Sequence, residues 1–473
     1  MGIAHSLERA VASKGIEAVI KSLKSKNNDE KEKAMLNLVD IYQKFAGSMF
    51  EESTYDTVRE MIRDKDGKWI NYAYGLLDRV DTNVLKMTAL NLGFTSSYYG
   101  KKIINEKRLE HGCNVPWLIL MDPTSACNLK CKGCWAAEYG HNQSLSFEEL
   151  DDIIEQGKKL GIYFYMYTGG EPLMRKKDLI RLCDKHRDCY FLAFTNGTLI
   201  DDDFANEVAR VGNFSVALSI EGFEETNDAR RGKGIYQSTL KAMDIMKAHG
   251  LVYGTSICYT SQNLETVVSD EFMDLLIDKG VMYSWFFNYM PVGNDAVPEL
   301  IPSPEQREYI YHRIREIRAK DGGKPIMLID FQNDGEFIGG CIAGGRNYLH
   351  INSAGDVEPC VFIHYSNANI REKSLLECLK QPIFMEYRAG QPFNDNHLRP
   401  CPMLENPELL REMVKRSGAH STDLISPETV EHLTDKCRPY ADSWKPTADR
   451  LWSESLDKKM KANKKISDHK QVI

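Results

Sequence analysis

The sequence predicts an α/β protein with a parallel sheet, preceded by an all-helical region and followed by a small α+β module. Between 115 and 290, short apolar runs alternate with helical patterns. Repeated units of this kind form parallel sheets with right-handed crossovers. Residues 1–112 show only helical apolar spacing, in stripes that begin at Ile16. From about 330, turn-rich segments with scattered cysteines replace the alternation.

Strands and helices alternate along the central part of the chain. The predicted strands are 117–121, 163–168, 190–195, 214–220, 252–259 and 282–290. The predicted helices are 146–160, 176–187, 201–211, 236–249, 269–280 and 303–319. Ser146 and Glu149 have the spacing of a capping box, and Pro304 suits the first position of the last helix.

Length and composition limit the class of protein. A chain of 473 residues exceeds a typical single core, and we predict four parts, at 1–112, 113–325, 326–440 and 441–473. Hydrophobic residues make up 42% and charged residues 27%, as in a globular protein; the last part is polar, and its Lys-rich segment 458–470 is expected to fray. The net charge of −8 gives no support for nucleic-acid binding.

The cysteine content predicts a reducing compartment. No apolar run reaches the roughly 18–20 residues of a membrane-spanning helix. The first residues lack the apolar core of a secretory signal. Twelve cysteines in such a chain predict free thiols and metal ligands, and a cytoplasmic location.

Three thiols follow the first predicted strand. Cys127, Cys131 and Cys134 have the spacing CxxxCxxC, six residues after the apolar run 117–121. The cysteines therefore lie on a loop at the carboxyl end of a strand. In barrels and open α/β sheets, that end carries the active site.

Three neighbouring thiols are compatible with more than one chemistry. A structural zinc site usually has four ligands, often as two CxxC pairs. Disulfides need paired cysteines and an oxidising compartment. A [4Fe–4S] cluster is held by thiolates, and with three of them one iron stays open to a small molecule. The residues favour the cluster and leave zinc open.

The motif, followed by the aromatic Trp135, resembles that of the radical SAM superfamily. The resemblance implies a partial (β/α)6 TIM-like barrel. It implies that Cys127, Cys131 and Cys134 hold a [4Fe–4S] cluster whose open iron binds S-adenosylmethionine (SAM). It also implies reductive cleavage of SAM to a 5′-deoxyadenosyl radical, with electrons from a donor such as flavodoxin or ferredoxin.

The resemblance extends to motifs at the ends of the next strands. The Gly-Gly-Glu-Pro motif after the second strand contacts the amino group of SAM in the family, and the Ser-x-Glu-Gly motif after the fourth reaches its ribose or carboxylate. An arginine of the 227–234 loop is expected to hold the carboxylate by a bidentate fork. The predicted cofactor-binding residues are Gly169, Gly170, Glu171, Pro172, Asn196, Ser219, Glu221 and Arg231.

A second group of cysteines lies in the predicted third part. The pattern Cys341, thirteen residues, Gly355, four residues, Cys360 resembles the first half of the SPASM or twitch auxiliary-cluster module. The dense CxxC run of a full SPASM array is absent, which favours one auxiliary [4Fe–4S] cluster. We predict Cys341, Cys360 and Cys401 as its ligands, with Cys437 as the fourth.

The substrate is not specified by these motifs. The resemblance favours peptide or protein modification, and leaves lipids and small metabolites open. The aromatic stretch 285–289 lies on a predicted barrel strand and either lines an apolar pocket or fills the barrel. The alternative class is a non-catalytic iron–sulfur electron carrier or a zinc-binding module. The Gly-Gly-Glu-Pro and Ser-x-Glu-Gly motifs argue for the enzyme, since a carrier needs no cosubstrate pocket.

Overall fold

The N-terminal region is helical, as predicted. A computed structural model describes residues 3–46 and 52–470 of the chain. A π-helical segment, Ala89–Gly100, continues directly into the last helix of this region. The helices are α1 (Ile3–Lys24), α2 (Asn28–Ala46), α3 (Glu52–Arg63), α4 (Lys68–Arg79), α5 (Thr82–Thr88) and α6 (Lys101–His111).

The central part forms the predicted parallel sheet. Neighbouring strands pair in chain order, each parallel to the next. The first six strands are those predicted, and the seventh follows the helix predicted at 303–319. They are β1 (Leu118–Met121), β2 (Phe164–Tyr167), β3 (Tyr190–Thr195), β4 (Phe214–Ser219), β5 (Tyr253–Tyr259), β6 (Tyr283–Asn288) and β7 (Met327–Asp330).

Helices connect these strands, and the fold class of a partial α/β barrel is confirmed. The predicted capping box is present: Ser146 Oγ accepts from the Glu149 amide at 3.1 Å, and the Glu149 carboxylate accepts from the Ser146 amide at 2.6 Å. The helices are α7 (Phe147–Lys159), α8 (Lys176–Lys185), α9 (Asp202–Val211), α10 (Glu224–Arg231), α11 (Ile235–Ala248), α12 (Leu264–Val267), α13 (Asp270–Asp278) and α14 (Pro304–Arg318).

The C-terminal module shares the sheet of the barrel. Strand β8 (Tyr348–Ile351) pairs in parallel with β1, and β9 (Val357–Glu358) pairs antiparallel with β8. The sheet of the described residues therefore has the order β7-β6-β5-β4-β3-β2-β1-β8-β9. The boundary predicted at 325/326 falls before β7, so three strands beyond it belong to the barrel sheet.

The rest of this module is small and mostly helical. A two-stranded ribbon, β10 (Tyr365–Ser366) with β11 (His420–Ser421), lies outside the main sheet. The helices are α15 (Gly335–Ile338), α16 (Leu375–Leu379), α17 (Pro382–Gly390), α18 (Pro407–Ser417) and α19 (Val430–Lys470).

Helix α19 extends through most of the part predicted as a polar tail, 441–473. Tyr440, Trp444, Ala448 and Leu451 are buried at helical spacing. This stripe packs the helix against α14 and α18. Residues 471–473 of the predicted tail lie outside the described chain. No helix among the described residues is long and apolar enough to cross a membrane.

Candidate active site

One cavity of about 210 Å³ lies at the carboxyl ends of the barrel strands. Most of the predicted residues of the barrel line it. They are Cys127, Cys131, Cys134, Gly169, Gly170, Glu171, Asn196, Ser219 and Arg231. The strand ends converge in this way because parallel strands present their carboxyl ends at one edge of a sheet.

The cysteine loop is held by backbone contacts to two other loops. The Glu171 amide donates to the Ala126 carbonyl at 2.8 Å, and the Lys132 amide donates to the Arg230 carbonyl at 2.9 Å. Gly133, between the last two cysteines, has φ +65° and lies against the Tyr289 ring. A side chain there would be strained and would meet the ring.

The thiols fit an iron–sulfur cluster. Burial raises the pKa of Cys127 to about 11 and also raises that of Cys134, so both thiolates need a positive partner. The Arg231 guanidinium lies 3.9 Å from Cys131 Sγ, and it is one positive group beside the thiols. A cluster takes each thiolate on a different iron, which suits thiols distributed over one cavity wall. Among the described residues, no three Cys, His, Asp or Glu side chains are grouped closely enough to bind a single metal ion.

Gly169 and Gly170 allow the backbone that follows the second strand to contact the cysteine loop. A Cβ at Gly170 would lie 2.1 Å from the Ala126 carbonyl oxygen, and one at Gly169 would lie 2.6 Å from the Thr124 oxygen. Both obstacles are backbone atoms, which cannot rotate away. The two glycines therefore fix the position of the residue that precedes Cys127.

We expect Gly170→Ala to displace the cysteine loop and reduce iron binding at the barrel site severalfold. The added methyl group meets the backbone next to Cys127, so the loop must move away. The measurement is iron per chain after anaerobic purification. Gly15→Ala is the matched control, because nothing lies within 4 Å of its Cβ and alanine favours a helix. Equal iron content in the two variants would contradict the assignment.

Glu171 places a buried carboxylate in the cavity. One oxygen accepts from the Leu173 amide at 2.9 Å and from Thr195 Oγ1 at 2.6 Å, and the other accepts from the Asn196 amide at 2.8 Å. Burial raises the pKa of Glu171, and these hydrogen bonds oppose the rise. Such a carboxylate is fixed in place and can accept from an ammonium group.

Asn196 and Ser219 lie at the ends of the third and fourth strands. The side-chain nitrogen of Asn196, Nδ2, donates to Asn128 Oδ1 at 2.8 Å. This bond connects the residue after the third strand to the cysteine loop. Its oxygen accepts from Thr198. Pro172 begins a short 3-10 turn and does not line the cavity among the described residues.

Glu221 differs from its predicted role. It is fully buried, and one carboxylate oxygen accepts from Arg230 at 2.6 Å and from Arg231 at 2.5 Å. The other accepts from the Cys258 amide at 3.0 Å. The carboxylate is therefore occupied by protein donors and lies behind the arginines. It holds two guanidinium groups that line the cavity, those of Arg230 and Arg231.

Aromatic rings form a further part of the cavity wall. Trp285 and Phe287 stack with an interplanar angle of 7°, and Phe194 packs edge-on against both. The stretch predicted either to line a pocket or to fill the barrel therefore lines the cavity. Trp285 Nε1 and Asn288 Oδ1 are buried without hydrogen-bond partners, which leaves one donor and one acceptor on this wall.

A second cavity, of about 50 Å³, lies beside the first. Cys341, Cys360 and Cys401 line it together, although 60 positions separate the first and last in the chain. The Tyr348 hydroxyl donates to Cys360 Sγ at 2.6 Å. The two cavities share one wall, made of Met290, Phe331, Ile342, Tyr348 and Phe362.

Cys437, the predicted fourth ligand, lies apart from these thiols. It is fully buried within α19 and lines neither described cavity. Burial raises its pKa to about 12, and the charged groups near it are Lys436 and Glu428. The thiols of Cys341 and Cys360, in contrast, lie close enough to Cys401 that both raise its pKa.

A buried charge network between the two sites was missed. His350 contacts Asp122 at 2.8 Å and Glu358 at 2.6 Å, and all three residues are fully buried. The Tyr139 hydroxyl also donates to Glu358, at 2.7 Å. Burial lowers the pKa of His350, but the two carboxylates outweigh it and raise it to about 10. Polar residues within otherwise apolar strands, such as His350 in β8, were the available signal.

Comparison with known families identifies two domains. The model of the radical SAM superfamily matches residues 121–276, which include the cysteine loop and β2 to β5. The model of SPASM, an iron–sulfur cluster-binding domain, matches residues 341–403. The second match begins at Cys341 and includes Cys360 and Cys401.

Curated relatives cover part of the chain. An Fe-coproporphyrin III synthase of Methanosarcina barkeri is 30% identical over 47% of this chain and 57% of its own length, so less than two thirds of that protein is matched. A mycofactocin maturase of Mycolicibacterium smegmatis is 27% identical over 54% of this chain and 67% of its own. The fold is similar to that of Streptococcus suis SuiB in a crystal structure with S-adenosylmethionine, with a TM-score of 0.53, 17% identity, and coverage of 65% of this chain and 77% of SuiB.

Fold, cavity and domain matches define the class of SAM-dependent iron–sulfur proteins. The chain carries a radical SAM domain at residues 121–276 and a SPASM domain at residues 341–403. Radical SAM domains bind a [4Fe–4S] cluster and SAM, and SPASM domains bind additional iron–sulfur clusters. Reductive cleavage of SAM is a property of this family.

Proposed function

We propose that this protein reductively cleaves SAM at a cluster held by Cys127, Cys131 and Cys134, and removes hydrogen from an apolar group of a peptide. The observation that carries the proposal is the composition of one cavity. Thiols, a carboxylate, guanidinium groups and a set of aromatic rings line it together.

The charged lining of the cavity suits the methionine part of SAM. Glu171 is positioned to accept from the ammonium group, and Arg231, held by Glu221, is positioned to donate to the carboxylate. Asn196 and Ser219 provide further polar contacts beside them. When bound, a [4Fe–4S] cluster supplies the electron that breaks the sulfonium carbon–sulfur bond.

The aromatic lining of the cavity suits an uncharged substrate group. The charged residues that line the described cavity are Glu171, Arg230 and Arg231. Both arginines are paired with Glu221, and with Arg231 directed to the SAM carboxylate, Arg230 is the cation left among the described lining residues. Trp285 Nε1 and Asn288 Oδ1 supply one donor and one acceptor for orientation. Positioning a carbon–hydrogen bond near the radical is the main catalytic requirement.

These features favour a peptide substrate over an acidic tetrapyrrole. The maturase relative and the Fe-coproporphyrin III synthase relative have different names, and sequence similarity alone does not choose between them. A structure of SuiB contains its precursor peptide, SuiA. A tetrapyrrole acid carries several carboxylates, for which Arg230 alone remains, whereas an apolar side chain fits the aromatic lining. Lipids remain a further apolar class.

The proposal includes a reducing environment and a protein electron donor. All twelve cysteines are free. Free thiols in this number persist in reducing compartments, which supports a cytoplasmic location. A flavodoxin or ferredoxin would provide the single electrons, and we propose no nucleic-acid partner.

We expect the anaerobically reconstituted protein to form 5′-deoxyadenosine and methionine from SAM after dithionite reduction, slowly and without added substrate. The cavity places polar contacts for SAM beside the three thiols, whereas an electron carrier or zinc module has no use for them. Chromatography of the products is the measurement. A fully iron-loaded, reduced protein that forms no 5′-deoxyadenosine would support the carrier.

The substrate class follows from a second measurement on the same mixture. Peptide, lipid and small-metabolite fractions of a perdeuterated extract of the host organism are added separately. We expect deuterium to enter 5′-deoxyadenosine with the peptide fraction, because the radical takes hydrogen from the bound group. Transfer from another fraction, or conversion of added Fe-coproporphyrin III, would contradict the peptide assignment and leave SAM cleavage intact.

A further inference from the structure

The three-thiol cavity of the SPASM module contains one polar side chain without a partner. Tyr387 is fully buried in α17 and lines the cavity together with Cys341, Cys360 and Cys401. Its hydroxyl has no hydrogen-bond partner. A buried hydroxyl without a partner has lost the hydrogen bonds that it makes in water, so its burial is unfavourable unless a bound group interacts with it.

The other polar side chains of this cavity are already engaged. The Tyr348 hydroxyl donates to Cys360 Sγ. The Gln332 oxygen accepts from the Asn288 amide at 3.0 Å, and its nitrogen donates to Met290 Sδ at 3.7 Å. Among the described lining residues, the phenol of Tyr387 is therefore the polar group that can still contact the metal centre bound by the thiols.

The position of Tyr387 is fixed by packing that does not involve its hydroxyl. Its ring packs edge-on against Phe393, with centroids 5.1 Å apart. A Cβ at Gly344 would lie 2.5 Å from the Tyr387 Cβ, so the backbone after Cys341 approaches the tyrosine as closely as glycine permits. The phenol is thus held beside the thiols by apolar contacts, and its oxygen remains free.

Cys437 is a weaker candidate for the fourth ligand position of the auxiliary cluster. It lies on α19 outside the cavity lining, whereas the other three thiols share that lining with Tyr387. Bringing its sulfur to the cavity would require this buried residue to leave its packed position.

We propose that the phenol oxygen of Tyr387 is the fourth protein ligand of the auxiliary cluster, beside the sulfurs of Cys341, Cys360 and Cys401. On binding, an iron–oxygen bond forms, the phenolic O–H bond breaks, and the proton leaves to solvent, as for other protein ligands of metals. The site then has three soft sulfur donors and one harder oxygen donor. The inference depends on the cluster of the SPASM module and is independent of SAM cleavage.

The test uses the chain with alanine at Cys127, Cys131 and Cys134, so that iron reports on the auxiliary site alone. Into it we introduce Tyr387→Phe, Tyr348→Phe or Cys437→Ala separately. Phenylalanine at 387 keeps the ring packing and removes only the unpartnered hydroxyl. Tyr348→Phe is the matched control, because it removes an equally buried phenol that already donates to a thiol.

We expect Tyr387→Phe to reduce the iron content from about four to about three per chain, and to remove a phenolate-to-iron absorption band, since one iron loses its ligand. Tyr348→Phe and Cys437→Ala should keep both the iron and the band. Four irons and an unchanged spectrum in Tyr387→Phe, or loss of iron in Cys437→Ala, would overturn the proposal. If the background variant does not fold, the same substitutions in the otherwise unchanged chain give the same comparison, with an expected fall from about eight irons to about seven.

Discussion

Replacement of Cys127, Cys131 and Cys134 together by alanine is expected to abolish 5′-deoxyadenosine formation. Without the thiolates no electron can be delivered beside the Glu171 and Arg231 pocket, and no other lining group has redox chemistry of that kind. The iron content is expected to fall from about eight to about four per chain, as one of two [4Fe–4S] clusters is lost. Iron and sulfide analysis and product chromatography, both under anaerobic conditions, measure the two effects.

Cys258 supplies the matched control for this loss. It lines the same cavity, but it lies on β5 and outside the CxxxCxxC loop. We expect Cys258→Ala to keep its iron content and its SAM cleavage. If the triple variant keeps all its iron, or if Cys258→Ala loses as much iron as the triple variant, the three-thiol assignment is wrong.

Substitution of His350 by leucine is expected to destabilise the protein by about 3–5 kcal/mol, because it leaves the carboxylates of Asp122 and Glu358 buried without their cation. Asp122 directly precedes the cysteine loop, and Glu358 precedes Cys360 by two residues. The measurement is urea unfolding of the anaerobic protein. His312→Leu is the control, since that histidine is about half exposed and its pairing with Glu308 is expected to contribute little.

The effect of His350 should also depend on pH in one direction. Its pKa is raised from 6.5 to about 10 in the folded state, so protonation stabilises the fold fully below pH 6.5. This contribution declines as pH rises from 6.5 through about 10. The stability difference between the unchanged protein and His350→Leu should therefore shrink over that range. A difference that stays constant would show that His350 is not charged in the folded state.

The strands, and the motifs at their carboxyl ends, could be predicted from the sequence. Apolar runs bounded by turn residues gave β1 to β6 within one or two residues, and the motifs at their ends met in one cavity because parallel strands converge at one edge. Local spacing was sufficient for Cys127, Cys131 and Cys134, which lie on one loop. The predicted ligand roles stay predictions.

The remaining features depend on long-range packing. Pairing of β8 with β1 joins segments 230 residues apart, and no local pattern specifies it. Glu221 matched a motif by position, but its partners came from α10, which placed it behind the arginines. Cys437 was selected by residue type, and the apolar stripe of α19 oriented it into the helical core instead.

The pairing of β8 with β1 means that the C-terminal module cannot be exchanged or removed as a separate unit. A chain that ended before β8 would expose the backbone hydrogen-bonding edge of β1, and an unpaired edge of apolar residues is a template for aggregation. The same strand leads directly into the cysteine loop. A shortened chain would therefore need another cover for that edge, so the auxiliary module also protects the strand that leads to the catalytic thiols.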